Sequence, residues 1–303
     1  MKSLLFIGGT GFLGQSFFDY LNKNSLKSLK LSKIIIISRK KKKIQSKIKI
    51  HYINNSIANI SKIPETDYII YAANSDNKKE NLKGIKNFKN LLSENHKKSK
   101  ILFTSSGAVY GNKNKKKKMK EKDLISFKKV ENFNGYKKEY AKAKIIMERE
   151  FCKLTKCGYN VSIARLFSFI GKRVFVNKNF AITNLISQAK QKKNLSLKLT
   201  DNRDVFRGYM NSDDLVRWLI KIMVSSNTKC NIYNVGSDEA ITIESLARII
   251  AKKFNKKVEN KVLKKIQNKK KMIDYYVPSI FKAKKELNLK LKYNINHSLK
   301  NLY

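Results

Sequence analysis

A phenol and an ammonium stand four residues apart in Tyr140-Ala-Lys-Ala-Lys144, a spacing that puts both on one face of a helix. A free tyrosine, with a pKa of ~10, exchanges protons poorly near neutrality. A neighbouring ammonium favours the phenolate and brings it toward the working range, which makes the pair a candidate acid/base unit. Tyr136, one turn earlier, has Tyr140 at its own +4 position, where a second such pair would need a lysine. Ser106 is a third candidate, in the run Thr104-Ser105-Ser106-Gly107-Ala108-Val109-Tyr110-Gly111. Its hydroxyl could hydrogen-bond a reacting oxygen while Tyr140 moves the proton.

A second constellation lies near the N-terminus. Gly8-Gly9-Thr10-Gly11-Phe12-Leu13-Gly14 separates an apolar run at 4–7 from a helical pattern starting near Phe12. Residues without a Cβ permit a tight turn and let a pyrophosphate approach the backbone. The helix start then aims N–H groups and its dipole at that anion. The expected contacts are Gly8, Gly11, Phe12, Leu13 and Gly14. Dinucleotide-binding sheets commonly carry an acidic residue at the end of the second strand. Here that strand ends in Ser38-Arg39-Lys40 without a carboxylate, and a hydroxyl beside an arginine suits a 2′-phosphate. This points to NADP over NAD. The other reading, that Arg39 merely opens the lysine run at 40–43, stays open.

These groups need a scaffold, and the chain supplies strand-like runs at 4–7, 34–38, 48–53, 68–72 and 101–105. A helix at about 136–155 leads to a sixth at 161–166. Strand–helix alternation of this kind predicts an α/β fold, a Rossmann-type doubly wound parallel sheet with helices on both faces. The later half changes character, with mixed short segments and helices at 243–254 and about 279–287. It reads as a smaller C-terminal substrate-binding lobe. The expected division is 1–170 for a dinucleotide-binding domain and 171–303 mainly for the lobe, with about 208–236 returning to the first domain.

Composition narrows the function classes. The 303 residues are 42% hydrophobic, an ordinary globular value, and the longest aliphatic run, at 34–37, cannot span a bilayer. The N-terminal apolar stretch runs straight into Gly8-Gly9 and is too short for a secretory signal, so a cytoplasmic protein is expected. Net charge is +45, yet only eight of the 67 basic residues are arginine. The lysine tracts are short, scattered and poor in aromatics, unlike a surface that reads phosphates with arginine forks and stacked rings. A solvated surface without specific nucleic-acid binding is expected. Cys152, Cys157 and Cys230 include no CxxC pair, and the three histidines are scattered. Reduced, mostly buried thiols and no metal site are the expectation.

Ordered along the chain, the motifs resemble the extended short-chain dehydrogenase/reductases, the NAD-dependent epimerase/dehydratase family. They are GGTGFLG, Ala72-Ala73 after the fourth strand, TSSGAVYG, and YAKAK followed by Glu148. Ala164-Arg165-Leu166-Phe167 with Gly171 comes next, then Arg207 ahead of Asp213-Asp214-Leu215. Asn234-Val235-Gly236-Ser237 and Tyr276-Val277-Pro278-Ser279 complete the series. The resemblance implies that Gly8, Gly11 and Gly14 hold the pyrophosphate and that Ala72 and Ala73 line the cofactor. It implies Lys144 on the nicotinamide ribose, Tyr140 as acid/base and Ser106 on the substrate oxygen. Arg207 matches the arginine that contacts the nucleotide diphosphate in UDP-galactose 4-epimerase-like members.

Two departures are visible. Asn54-Asn55 replaces the aspartate that many members place against adenine, and the Asn55 amide oxygen could still accept from the adenine amino group. More telling, the Asp-Glu pair that the 4,6-dehydratases carry after the catalytic hydroxyl is here Gly107-Ala108, with no ionisable group. The expectation is an NAD(P)-dependent nucleotide-sugar epimerase or 4-keto-sugar reductase, a homodimer by family resemblance. The alternatives are a 4,6-dehydratase-type enzyme and a non-catalytic dinucleotide- or RNA-binding relative. Determinants of the sugar are expected in variable segments such as 177–186.

Overall fold

Short runs dense in isoleucine, leucine and aromatics are too brief for buried helices and have the composition of strands covered on both faces. The computed structural model describes residues 1–24, 29–111, 115–173, 180–191, 194–199, 203–262 and 272–300. In it these runs form β1 (Lys2–Ile7), β2 (Leu31–Ile37), β3 (Lys49–Ile53), β4 (Tyr68–Tyr71), β5 (Lys100–Ser106) and β6 (Asn160–Leu166). β2 starts three residues earlier than its apolar core suggests, at Leu31, and runs through exposed Ser32 and Lys33 before that core. Leu4, Leu5, Phe6 and Ile7 of β1 are wholly buried, as the centre of such a sheet requires.

Helices α1 (Phe12–Lys23), α2 (Lys78–Asn90), α3 (Phe127–Val130) and α4 (Gly135–Lys156) connect these strands. After β6 the chain departs through β7 (Ser168–Ile170), α5 (Ala181–Lys190), β8 (Leu195–Leu199) and β9 (Arg203–Arg207). It returns through β10 (Tyr209–Asn211), α6 (Ser212–Val224) and β11 (Asn231–Val235). It departs again through β12 (Ile241–Thr242), α7 (Ile243–Lys253), β13 (Val258–Val262) and β14 (Met272–Tyr276), and ends in α8 (Phe281–Leu287) and α9 (Ile295–Lys300).

The main sheet has seven strands in the order β11-β6-β5-β4-β1-β2-β3, all pairs parallel. One face is sealed by Phe17 and Phe18 of α1 with Trp218 and Leu219 of α6. The other is sealed by Phe88 of α2 and Phe151 of α4, whose rings meet Tyr71 from β4. The lobe is built on smaller sheets, β12-β9-β14 and β13-β8, with Leu185 and Ile186 of α5 packed against Leu246 and Ile250 of α7. Where the chain first leaves the main sheet and where it first returns, β7 and β10 pair in parallel, Tyr209 opposite Ser168.

One expectation is overturned. Cys152, on α4, and Cys230, beside β11, form a disulfide instead of reduced thiols, and Cys157 is free and exposed instead of buried. The edge strand packs across α4 so that the two Cα atoms lie 5.4 Å apart, within bridging range. With the two cysteines 78 positions apart, no local spacing could have shown this. Residues 115–118 of the lysine-rich loop are exposed, and residues 112–114 lie outside the described residues. Among the described residues, no helix is long and apolar enough to cross a membrane and no cluster suits a metal ion.

Candidate active site

The glycine turn is dictated by close approach. Gly8 has φ +84°, and a Cβ on it would fall 2.6 Å from the Ala73 nitrogen and 2.8 Å from the Ala72 carbonyl carbon. The β1–α1 turn therefore rests directly on the end of β4, which links the first glycine to Ala72-Ala73. At Gly14 a Cβ would meet the Gly9 carbonyl oxygen, so the helix packs on its own turn. Gly11 is not crowded in this way; it starts α1 with no side-chain cap and no acid in the first turn. The first N–H groups of α1, at Phe12, Leu13 and Gly14, are thus left to bind an anion. Phe12 also stacks on Phe169 of β7, centroids 4.7 Å apart, tying the helix start to the lobe crossing.

Beside this turn, the hydroxyls of Thr10 and Ser38 are 2.5 Å apart. The Asn54 amide, oriented to donate, reaches the Ser38 and Arg39 carbonyls at 3.2 Å. Asn55 accepts from the Ser56 N–H at 2.8 Å through the oxygen expected to face adenine. Arg39 is exposed, and among the described residues no hydrogen bond or ion pair engages its guanidinium. A crowded glycine turn, an uncapped helix start and a free cation over the second strand end together form a cradle that fits a dinucleotide.

Across the crevice, α4 presents Tyr140 and Lys144 as its spacing predicts. Lys144 is 3% exposed and donates to the Thr104 carbonyl at 3.0 Å, with its Nζ 5.7 Å from the Tyr140 ring centre. Burial pulls its ammonium down to about 8, Glu148 opposing. Burial also pushes the half-buried Tyr140 up to about 12, with the Ser106 hydroxyl opposing. The expected lowering of the phenol by Lys144 is therefore not the dominant effect here. The ammonium is turned to a backbone carbonyl, and desolvation of the phenol wins.

Ser106 ends β5 and caps the short 3₁₀ turn Gly107–Tyr110, its Oγ accepting from the Ala108 N–H at 3.2 Å. At Gly107 a Cβ would lie 2.7 Å from the Phe167 ring and 2.7 Å from the Tyr276 hydroxyl. The place where the dehydratase-type pair would begin is thus filled by an aromatic side chain from β14. Sequence reasoning missed Tyr276 as a site residue, although its motif was in view; only the pairing of β14 with β9 brings it here. Arg207 lies opposite Tyr276 in that pairing, its guanidinium 5.6 Å from the Tyr276 ring centre. It forks onto Asp274 at 3.2 and 2.9 Å, so the expected diphosphate ligand is held beside the crevice by a carboxylate.

Beneath these groups runs a buried polar chain that accounts for three motifs with no surface role. Glu148 accepts from Ser105 Oγ at 2.5 Å and from Arg165 Nη2 at 2.7 Å. Arg165 Nη1 donates to the Tyr110 hydroxyl at 2.8 Å, which donates to Asn234 Oδ1 at 2.8 Å. Each member has partners, as groups this deeply buried must. The chain fixes β5, β6, β11 and α4 to one another under Lys144.

Comparison with solved structures agrees with this architecture. dTDP-glucose 4,6-dehydratase from Bacillus anthracis str. Ames, solved with NAD, superposes with a TM-score of 0.78 at 18% identity, over 99% of this chain and 94% of its own. UDP-N-acetylglucosamine 4-epimerase from Bacillus cereus does so with 0.72 at 18% identity, over 100% and 98%. UDP-glucose 4-epimerase from Thermotoga maritima, solved with UDP-glucose, gives 0.72 at 18% identity, over 98% and 96%. No curated protein matches the sequence. At such identities the likeness speaks for the fold, a Rossmann-like α/β arrangement. The model of the NAD dependent epimerase/dehydratase family matches residues 4–236, most of the chain, and the protein belongs to that family of enzymes.

Proposed function

We propose that the enzyme carries out reversible hydride transfer at a carbon of a nucleotide-activated sugar, as a 4-epimerase or a 4-keto-sugar reductase. The observation that carries this reading is the grouping of Tyr140, Lys144 and Ser106 around a turn with no room for a carboxylate at Gly107. A bound nicotinamide dinucleotide supplies the hydride acceptor and donor. Gly8, Gly11 and Gly14 with the start of α1 would hold its pyrophosphate, and Lys144 its nicotinamide ribose. Tyr140 takes the proton of the reacting hydroxyl or returns it to the keto oxygen, while Ser106 orients that oxygen. Arg207, beside Tyr276 and paired with Asp274, would turn to the substrate diphosphate. Ser38 and the free Arg39 favour NADP over NAD. Residues 1–170 with about 208–236 serve the dinucleotide, and the rest of the chain serves the sugar nucleotide.

Elimination of water needs groups that move a proton from C5 and onto the C6 hydroxyl, the work of the carboxyl pair in dehydratases. Gly107 and Ala108 have none. Product analysis checks this. Nucleotide hexoses should yield an epimer, and a 4-keto nucleotide sugar with NADPH should yield the reduced sugar. Efficient formation of a 4-keto-6-deoxy product from a nucleotide hexose would show that another acid replaces the missing pair and would overturn the assignment.

A further inference from the structure

Alternate residues of a strand share a face, so Phe103 and Ser105 of β5 both point to α4. Phe103 stacks there on Phe151, centroids 4.4 Å apart. One step nearer the crevice this apolar packing gives way to polar groups. Ser105 of β5 stands opposite Arg165 of β6, which stands opposite Asn234 of β11, so a polar row crosses three strands. Glu148 of α4 meets the row, its Oε1 accepting from Ser105 Oγ at 2.5 Å and from Arg165 Nε at 3.0 Å. One turn earlier on α4, Lys144 donates at 3.0 Å to the carbonyl of Thr104, the residue before Ser105. The helix that carries Tyr140 is thus tied at two successive turns to two successive residues of β5. The next residue of that strand is Ser106.

Stability alone does not call for this row, because apolar residues of similar volume often serve as well as a buried ion pair. What the row adds is direction. Apolar packing holds a helix down without fixing its angle, whereas hydrogen bonds weaken steeply as they bend. Two of them, one turn apart, fix α4 both along and about its axis. Resting on the hydride-transfer reading above, we propose that Ser105 and Glu148 are positioning residues of the acid/base step. Their bond, beside that of Lys144 to Thr104, seats α4 on the end of β5 and so sets Tyr140 and Lys144 in place relative to Ser106. Such placement matters to rate, since a displacement of ~1 Å can cost on the order of 10²-fold.

The test is Ser105→Ala, which removes the hydroxyl and leaves Glu148 paired with Arg165, so no buried charge is stranded. The kcat for nucleotide-sugar turnover should fall about tenfold, less than for a full ångström, with KM changed less than about twofold. The matched control is Ser226→Ala. Ser226 is as deeply buried and donates at 3.1 Å to the Ile101 carbonyl, toward the other end of the same strand. Its loss should lower thermal stability by a similar amount and leave kcat unchanged. Full kcat in Ser105→Ala, or an equal fall in Ser226→Ala, overturns the proposal. Tyr140→Phe run alongside keeps the two readings apart: if it retains full rate, the reaction assignment fails. The seating of α4 is then read without substrate, from deuterium exchange followed by peptide mass. Exchange over 104–108 and 140–148 should quicken in Ser105→Ala and stay as it was in Ser226→Ala. Unchanged exchange in Ser105→Ala sinks the idea.

Discussion

The two ends of the crevice are built on different terms. At the reaction end, Lys144, Ser105, Ser106, Glu148 and Arg165 are each less than a tenth exposed and bonded to one another or to backbone. At the other end, Arg39, Asn54 and Asn55 are exposed, and the local bonds go to neighbours in sequence or to the backbone of the adjoining strand. A buried group that loses its partner is costly, so the reaction end tolerates little change. An exposed one is solvated either way. On the proposed reading the chemistry is thus fixed in the core, whereas the choice of dinucleotide rests on side chains that water can replace.

This contrast can be broken at its strongest point first. Tyr140→Phe should lower kcat by about 10²–10⁴-fold while circular dichroism and dinucleotide affinity stay nearly unchanged. Tyr136→Phe, whose phenol faces Asn74 and Asp76, serves as the control and should retain most of the rate. A small loss in Tyr140→Phe would mean that the buried end does not carry the chemistry. Lys144→Met probes the same end through stability. The folded-state pKa of Lys144, about 8, lies below its usual 10.5, so the native state holds its proton less tightly than the unfolded chain does. That penalty is full below pH 8 and fades as pH rises toward 10.5. Lys144→Met should therefore gain about 1–3 kcal/mol at pH 7, less the bond to Thr104, and lose its advantage near pH 10, while activity collapses. Thermal unfolding across that range checks the sign. The smallest effect belongs to the exposed end. Arg39→Ala should narrow the preference for NADPH over NADH by roughly twofold to fivefold, the scale of an exposed charge contact, with kcat largely kept. Equal affinities in the unaltered protein would remove the NADP assignment.

Much of this was legible in the sequence because its signals are local. Gly8, Gly11 and Gly14 lie within one turn, and Tyr140 and Lys144 within one helical repeat. The central strands β1, β2, β4 and β5 show as apolar runs because both faces are covered, whereas the edge strand β11, Asn231–Val235, mixes polar and apolar residues and does not read as a strand. Tyr276 and the Cys152–Cys230 bridge were not legible. The first depends on β14 pairing with β9, 69 residues apart at the Tyr276–Arg207 pair, in a lobe whose strands are only partly buried and lack a clean apolar signature. The second depends on an edge strand meeting a helix 78 residues upstream. The polar chain from Glu148 to Asn234 lies between these cases. Its residues stood out as motifs, but a buried arginine on strand β6 reads as a structural necessity only once its carboxylate is seen beside it.

The pairing of β7 with β10 has a mechanical meaning. A lobe attached by one connection swings and twists freely about it. Here the outgoing and returning segments are hydrogen-bonded side by side, and Phe12 stacks on one of them. A second departure follows β11, and the chain returns once more through α8, which packs on that strand. A body hung from separated straps retains a single easy axis of rotation, like a door on its frame. Twisting about the crossing is thereby resisted, and Tyr276 and Arg207, paired across β14 and β9, are carried as one unit.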